Sequence, residues 1–166
     1  MPETSYFFDT VSLSNFAMSG ALPLLVQRYG TAATVPNEVL DELIAGTAAG
    51  HAALQHVVDL VNQGVFASTA LTKVERQVLA ETISHLGQGE ASCIAAATKR
   101  GGTVVTDDRA ARNACSERKV PVTGTIGILK AACTEGQVSV EEADRILTAM
   151  VRCGFYSPVH RIRDIF

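Results

Sequence analysis

No stretch of the chain approaches the roughly eighteen consecutive apolar residues that a membrane-spanning helix needs, and no early segment joins a basic run to an apolar one as a secretory leader does. A cytoplasmic protein with no membrane contact is therefore expected. Basic residues are also scarce. Fourteen Lys and Arg stand against 17 Asp and Glu, a formal net charge of −3, which excludes a protein that holds nucleic acid mainly through a broad basic surface. A local basic patch stays open, because ten of the fourteen are Arg, whose planar fork matches phosphate. The four cysteines, at 93, 115, 133 and 153, include no C-x-x-C pair and no neighbouring His at zinc spacing. That excludes a recognisable zinc module, and their helical, apolar settings predict buried, reduced thiols. What the chain does have is core material: 47% of its 166 residues are hydrophobic, enough for one domain of packed, Ala-rich helices.

Along the chain, TSYFFDT (4–10) reads as a buried strand stopping at Asp9, followed by a short helix to Gly20 and a second over 21–30. TAATVP (31–36) is a second strand, with Pro36 placed to open the next helix. His51, Leu54, Val57, Val58 and Val61 recur at helical spacing, predicting a helix over 48–63 before a third strand in GVFASTALT (64–72). Thr72 with Glu75, and Ser139 with Glu142, have capping-box spacing at the starts of helices over 72–87 and 139–154. Between them lie an Ala-rich helix (89–101), a strand (102–106), a helix (109–119), a strand (120–124) and a helix (127–136). The tail, HRIRDIF, is basic and expected on the surface. Five strands alternating with helices predict an α/β domain built on a mainly parallel sheet.

In such a sheet ligands bind beyond the carboxyl ends of the strands, near the point where strand order reverses. The acids follow that rule. Asp9 closes the first strand and Asp107 and Asp108 close the fourth; Glu42 lies in the helix after the second strand, and Glu90 starts the helix leading into the fourth. Each also has a plain structural use: Asp9 as a helix cap, Glu42 as solvated surface, Glu90 as a favoured acid in a first helical turn, one of Asp107 and Asp108 as a cap. The set is more informative than its members. Carboxylates converging in a cleft raise each other's pKa and oppose folding unless cations neutralise them. Mg2+ or Mn2+ does so through oxygen ligands and can activate water for in-line displacement at phosphorus.

FFDT, VPNEVLDEL, LGQGEAS, VVTDDRAAR and VTGTIGILKAA together resemble a PIN domain, of the branch related to VapC-like toxin ribonucleases, from about residue 5 to 155 of a single domain (1–166) with a C-terminal tail at 156–166. The ordered combination from LGQGEAS to GTIGIL carries most of the likeness. The resemblance implies a three-layer α/β/α sandwich with a five-stranded sheet and a Mg2+- or Mn2+-dependent endoribonuclease site. Carried over by position, the catalytic acids are Asp9, Glu42 after Val39, Glu90, and Asp108 after Thr106. Metal ligands are drawn from Asp9, Glu90, Asp108 and Asp107, the last being either a ligand or a helix cap or outer partner held by Arg112. Glu38 and Asp41 rival Glu42, and Glu90 stands where many relatives carry Asp. Thr10, Ser12, Asn15 and Thr106 could hold a water or substrate, or cap helices. Arg109 and Arg112 could hold a substrate phosphate or pair with the carboxylates. His51, His56 and His85 read as packing or surface residues.

The implied function is RNA hydrolysis, with the toxin half of a toxin–antitoxin pair as one role. That role brings a small antitoxin protein that blocks the acids with a basic side chain, and the PIN resemblance itself implies a homodimer. The alternative is a non-catalytic PIN-like module acting through a protein or RNA partner. A phosphatase with Asp9 as nucleophile wants a second acid two residues on, and position 11 is Val.

Overall fold

Five short runs rich in β-branched and aromatic residues pair in parallel: β1 (Tyr6–Phe8), β2 (Ala33–Pro36), β3 (Ala67–Thr69), β4 (Thr103–Val105) and β5 (Val122–Thr123). Their order in the sheet is β3-β2-β1-β4-β5, all parallel. The computed structural model describes residues 4–166, so residues 1–3 of the expected domain span lie outside the described residues. Each observed strand is shorter than the run expected for it. The flanking residues are spent on caps and turns, as where Asp9 leaves the ladder to cap a helix and Gly102 turns the chain at φ 110°.

The strands alternate with α1 (Thr10–Met18), α2 (Leu22–Tyr29), α3 (Asn37–Ala48), α4 (Gln55–Asn62), α5 (Lys73–Thr82), α6 (Gln88–Arg100), α7 (Arg109–Glu117), α8 (Thr125–Thr134) and α9 (Val140–Arg152). Phe7 and Phe8, neighbours on the central strand and therefore on opposite sheet faces, are both buried, as a parallel sheet covered by helices on each side requires. The architecture is the α/β/α sandwich expected from the sequence. No helix among the described residues is long and apolar enough to cross a membrane.

Four local expectations change. The helix predicted over 48–63 is two elements: α3 ends at Ala48, Gly50 adopts φ 109°, and a 3-10 turn (Ala52–Leu54) leads into α4. α5 stops at Thr82 rather than near 87, where the Thr82 hydroxyl donates back to the Val78 and Leu79 carbonyls. The capping box at Thr72 and Glu75 is complete, whereas at Ser139 only the serine side chain caps, and Glu142 turns instead to Arg145. The cysteines divide: Cys93 and Cys115 are buried, Cys133 is half-buried and Cys153 is exposed, because α9 ends at the surface.

Helix α6 sets the site's distance from the sheet. Ala91, Ser92, Cys93, Ala95, Ala96 and Ala97 are all buried, and their small size lets the helix lie close on β1, β2 and β4 while α5, α3 and α7 gather around it. Its first turn thereby reaches the carboxyl edge of the central strands. The tail is only partly surface. A 3-10 turn (Ile162–Ile165) buries Ile162 completely against the core, and the Ile162 amide and Arg163 Nε donate to the Asp144 carboxylate at 2.6 and 2.7 Å.

Candidate active site at the strand switch point

The chain crosses from β1 to β2 and β3 on one side and returns to β4 and β5 on the other, so strand order reverses between β1 and β4. Phe8 pairs with Val105, which puts Asp9 and Thr106, the next residue of each strand, side by side. The Asp9 amide donates to the Val105 carbonyl at 3.1 Å. Its carboxylate is almost fully buried: Oδ1 accepts from the Ser12 amide at 2.8 Å, capping α1, and Oδ2 accepts from the Thr106 hydroxyl at 2.6 Å. The same hydroxyl accepts from the Asp108 amide at 3.2 Å. One threonine thus couples the two strand-end aspartates.

The adjacent aspartates have separate tasks. Asp108 caps α7, accepting from the Ala111 amide at 2.8 Å, and is exposed. Capping therefore belongs to Asp108 and not to Asp107, for which a cap is one of the expected roles, because the helix begins at Arg109 and Asp108 just before it has the extended backbone a cap needs. Asp107 instead turns toward α8, where it accepts from the Thr125 amide at 2.8 Å and the Thr125 hydroxyl at 2.5 Å, with Asn15 Nδ2 at 3.4 Å. Arg112 does not pair with either acid; its Nη1 donates to the Thr106 carbonyl at 3.0 Å.

Glu42 on α3 reaches α6 at Gly89, the residue before Glu90. A β-carbon there would collide with Glu42 Oε1 and lie 3.2 Å from the Thr10 hydroxyl, so the absent side chain is the space the Glu42 carboxylate uses. Burial raises the Glu90 carboxyl to about 7, and the negative charges of Asp108, Asp9 and Glu42 add to the rise. Burial also raises Asp9 to about 6, against the hydrogen bonds of Thr106 and Ser12 that pull it down. Four acids from four separate stretches of sequence therefore share one field. Their mutual repulsion is uncompensated by any salt bridge found among the described residues, where the ion pairs lie elsewhere.

The donor chemistry fits a hard divalent cation. All the candidate donor atoms are oxygens, and the Thr10 hydroxyl beside Glu42 is buried with no hydrogen-bond partner among the described residues. No three His, Cys, Asp or Glu side chains among the described residues close into a ready-made metal centre. Repulsion among the carboxylates favours this open arrangement, and Asp9 and Asp108 are each tied to a helix N-terminus.

The remaining expected site residues differ in burial. Ser12 and Thr106 have no exposed surface; they support Asp9 from beneath and cannot line a substrate cleft. Asn15 is half-buried, bridging Asp107 and the Thr125 hydroxyl. Arg109 and Arg112 are exposed in the first turn of α7, directly after Asp108, and Asp41 is exposed on α3, one residue before Glu42. Glu38 shares a helix face with Glu42 at i, i+4 spacing, and one of its carboxylate oxygens is buried without a partner. His51, His56 and His85 are all exposed. Sequence reasoning missed Gly89 and Thr125. Gly89 had a signal, since it stands directly before Glu90 within a helix, where glycine is otherwise unfavourable; Thr125 had none, because its partner lies eighteen residues away.

No curated protein matches the chain. Residues 5–166, nearly its whole length, match the sequence model described as PIN domain, a nuclease fold typically served by divalent metals. With the parallel five-stranded sheet and acids at its switch point, that match shows that the chain belongs to the PIN domain family.

Proposed function

We propose that this protein is a Mg2+- or Mn2+-dependent endoribonuclease whose site is built from Asp9, Glu42, Glu90 and Asp108. The observation that carries the reading is the convergence of these acids at the carboxyl edge of β1 and β4, close enough that the charges of Asp108, Asp9 and Glu42 add to the rise that burial causes in Glu90. A bound metal would supply positive charge for the negative charge that builds on the phosphoryl oxygens in the transition state, and would make a water nucleophilic at neutral pH. The chain's own groups prepare for this. Each Asp9 oxygen accepts one hydrogen bond and keeps further lone pairs, so the carboxylate is oriented without being used up. Burial and the neighbouring carboxylates favour the protonated form of Glu90, a proton that a bound cation would displace. Arg109 and Arg112 in the first turn of α7 offset the acidic field for an incoming phosphate.

Asp107 stands behind this set as a positioning residue that fixes the start of α8. The likeness of LGQGEAS, VVTDDRAAR and GTIGIL to VapC-like ribonucleases supports a narrower role. In it the enzyme is a cytoplasmic, homodimeric toxin restrained by a small antitoxin whose basic side chain enters the acid cleft.

The test is cleavage of single-stranded RNA by the purified protein with Mg2+ or Mn2+, and with the metal chelated. Asp9→Asn and Asp108→Asn are each expected to lower the rate about a thousandfold, several kcal/mol of transition-state stabilisation. Asn caps helices as well as Asp does, so Asp108→Asn keeps the fold. Asp107→Asn is expected to cost about tenfold. Unchanged cleavage in both Asp9→Asn and Asp108→Asn sinks the proposal.

A further inference from the structure

Beside the acids, on the β5 side, lies a second cleft of about 430 Å3, within the ~300–1,000 Å3 of small-ligand sites. Asp107, Arg112, Gly124, Ile126, Phe155 and Tyr156 are among the residues that line it. Gly124 permits the arrangement: a β-carbon there would strike Asp107 Oδ1 and lie 3.0 Å from Arg112 Nη1. Arg112 commits Nη1 to the Thr106 carbonyl, and no other hydrogen bond among the described residues claims the rest of its fork. Tyr156 is the anomaly. Its residue is 93% exposed, an aromatic ring left in water at the mouth of a cleft. It does not hang on a loose end, because the Phe155 amide donates to the Met150 carbonyl at 3.0 Å, and Ser157 Oγ donates to the Val159 carbonyl and accepts from its amide.

An aromatic face presented on a tied segment, a cation in the same cleft and a glycine in its lining are what an unpaired nucleotide needs: stacking for the base, charge for the phosphate, and close backbone approach. We infer that this cleft receives an unpaired nucleobase of the RNA strand next to the cleaved bond, stacked on Tyr156, with the adjoining phosphate held by Arg112. The inference rests on the ribonuclease reading and specifies its substrate as single-stranded at that position. Base pairing would hide the stacking face, so duplex RNA is excluded from the cleft. Stacking accepts every base, so the cleft selects strandedness rather than sequence.

The test measures binding apart from cleavage. In the full chain carrying Asp108→Asn, with Mg2+ present, the affinity for a fluorescent single-stranded RNA of about eight nucleotides is read by anisotropy. Tyr156→Ala is expected to weaken it about tenfold or more, and Tyr156→Phe to leave it within about twofold of the parent. On a strand of the same length with abasic nucleotides, parent and Tyr156→Ala are expected to bind alike. The exposed ring contributes little to the core, so equal melting temperatures verify that the variants are folded. Equal affinity of parent and Tyr156→Ala for the base-bearing strand, or an equal loss on the abasic one, overturns the inference while the ribonuclease reading stands. If the parent binds no RNA at all, both fall.

Discussion

A methyl group at position 89 would occupy the space that the Glu42 carboxylate takes, and the conflict is with the far end of a flexible side chain. Gly89→Ala is therefore expected to leave stability within about 1 kcal/mol of the parent, since alanine is the better helix former, while turning Glu42 out of the cluster and lowering cleavage at least about tenfold. Thermal melting and rate assays on one preparation check both halves. Charge at the site makes a second prediction. Asp9 and Glu90 hold protons more tightly folded than unfolded, because burial and neighbouring carboxylates disfavour the ionised form. From the ordinary carboxyl range near 4 up to about 6 for Asp9 and about 7 for Glu90, the folded chain binds more protons. Stability of the metal-free protein should then fall as pH rises through that window and level off above it. Glu90→Gln removes its part of the fall, so its melting temperature should exceed the parent's at about pH 8 and converge with it near pH 4. A gap of the same size at both pH values would show that the charge on Glu90 is not the cause. These positions were legible in the sequence to different degrees. Asp9, Glu90 and Asp108 stand at segment ends that a parallel sheet must bring to one edge, whereas the division of labour between Asp107 and Asp108 depended on where α7 begins.

Helices α5 and α6 are joined by more than apolar contact. Glu75, buried to 1% exposure, completes the capping box of α5 and takes two hydrogen bonds of 2.7 Å from Arg100 at the end of α6. Those bonds from Arg100 hold the Glu75 carboxyl below its ordinary value. Removing the guanidinium leaves a buried carboxylate with only its backbone partner, so Arg100→Ala is expected to destabilise the protein by about 2 kcal/mol in denaturant unfolding. The capping box itself was readable from Thr72 and Glu75, since three-residue spacing is a local matter. The late start of α4 at Gln55 was not: Leu54, Val57, Val58 and Val61 keep one helical period through the 3-10 turn, and only Gly50 in a left-handed conformation signals that the α-helix has not yet begun. Periodicity reports which face is apolar, and a short turn can lead into a helix without changing that face.

At the scale of the whole molecule the C-terminal turn closes the core. Ile162 has no exposed surface, and Asp144 on α9 holds the backbone of that turn. Ile162→Ala is expected to cost about 2–4 kcal/mol of unfolding free energy, whereas a surface tail would show no loss; chemical denaturation separates the two. The tail's sequence, HRIRDIF, hid this, because two isolated isoleucines among charges carry no period, and burial there is decided by elements folded before it. The sequence by itself determined the alternation of strands and helices, the parallel sheet, and the acids at strand ends, because these follow from short-range pattern and from the rule that parallel strands all point their carboxyl ends one way. Only the tertiary structure decided what the acids do to one another. Thr106 reaches Asp9 across ninety-seven residues and Thr125 reaches Asp107 across eighteen. Glu42 finds its place against a glycine on another helix. Hydrogen bonds and charges act over a few ångströms of space, and separation along the chain does not measure that distance.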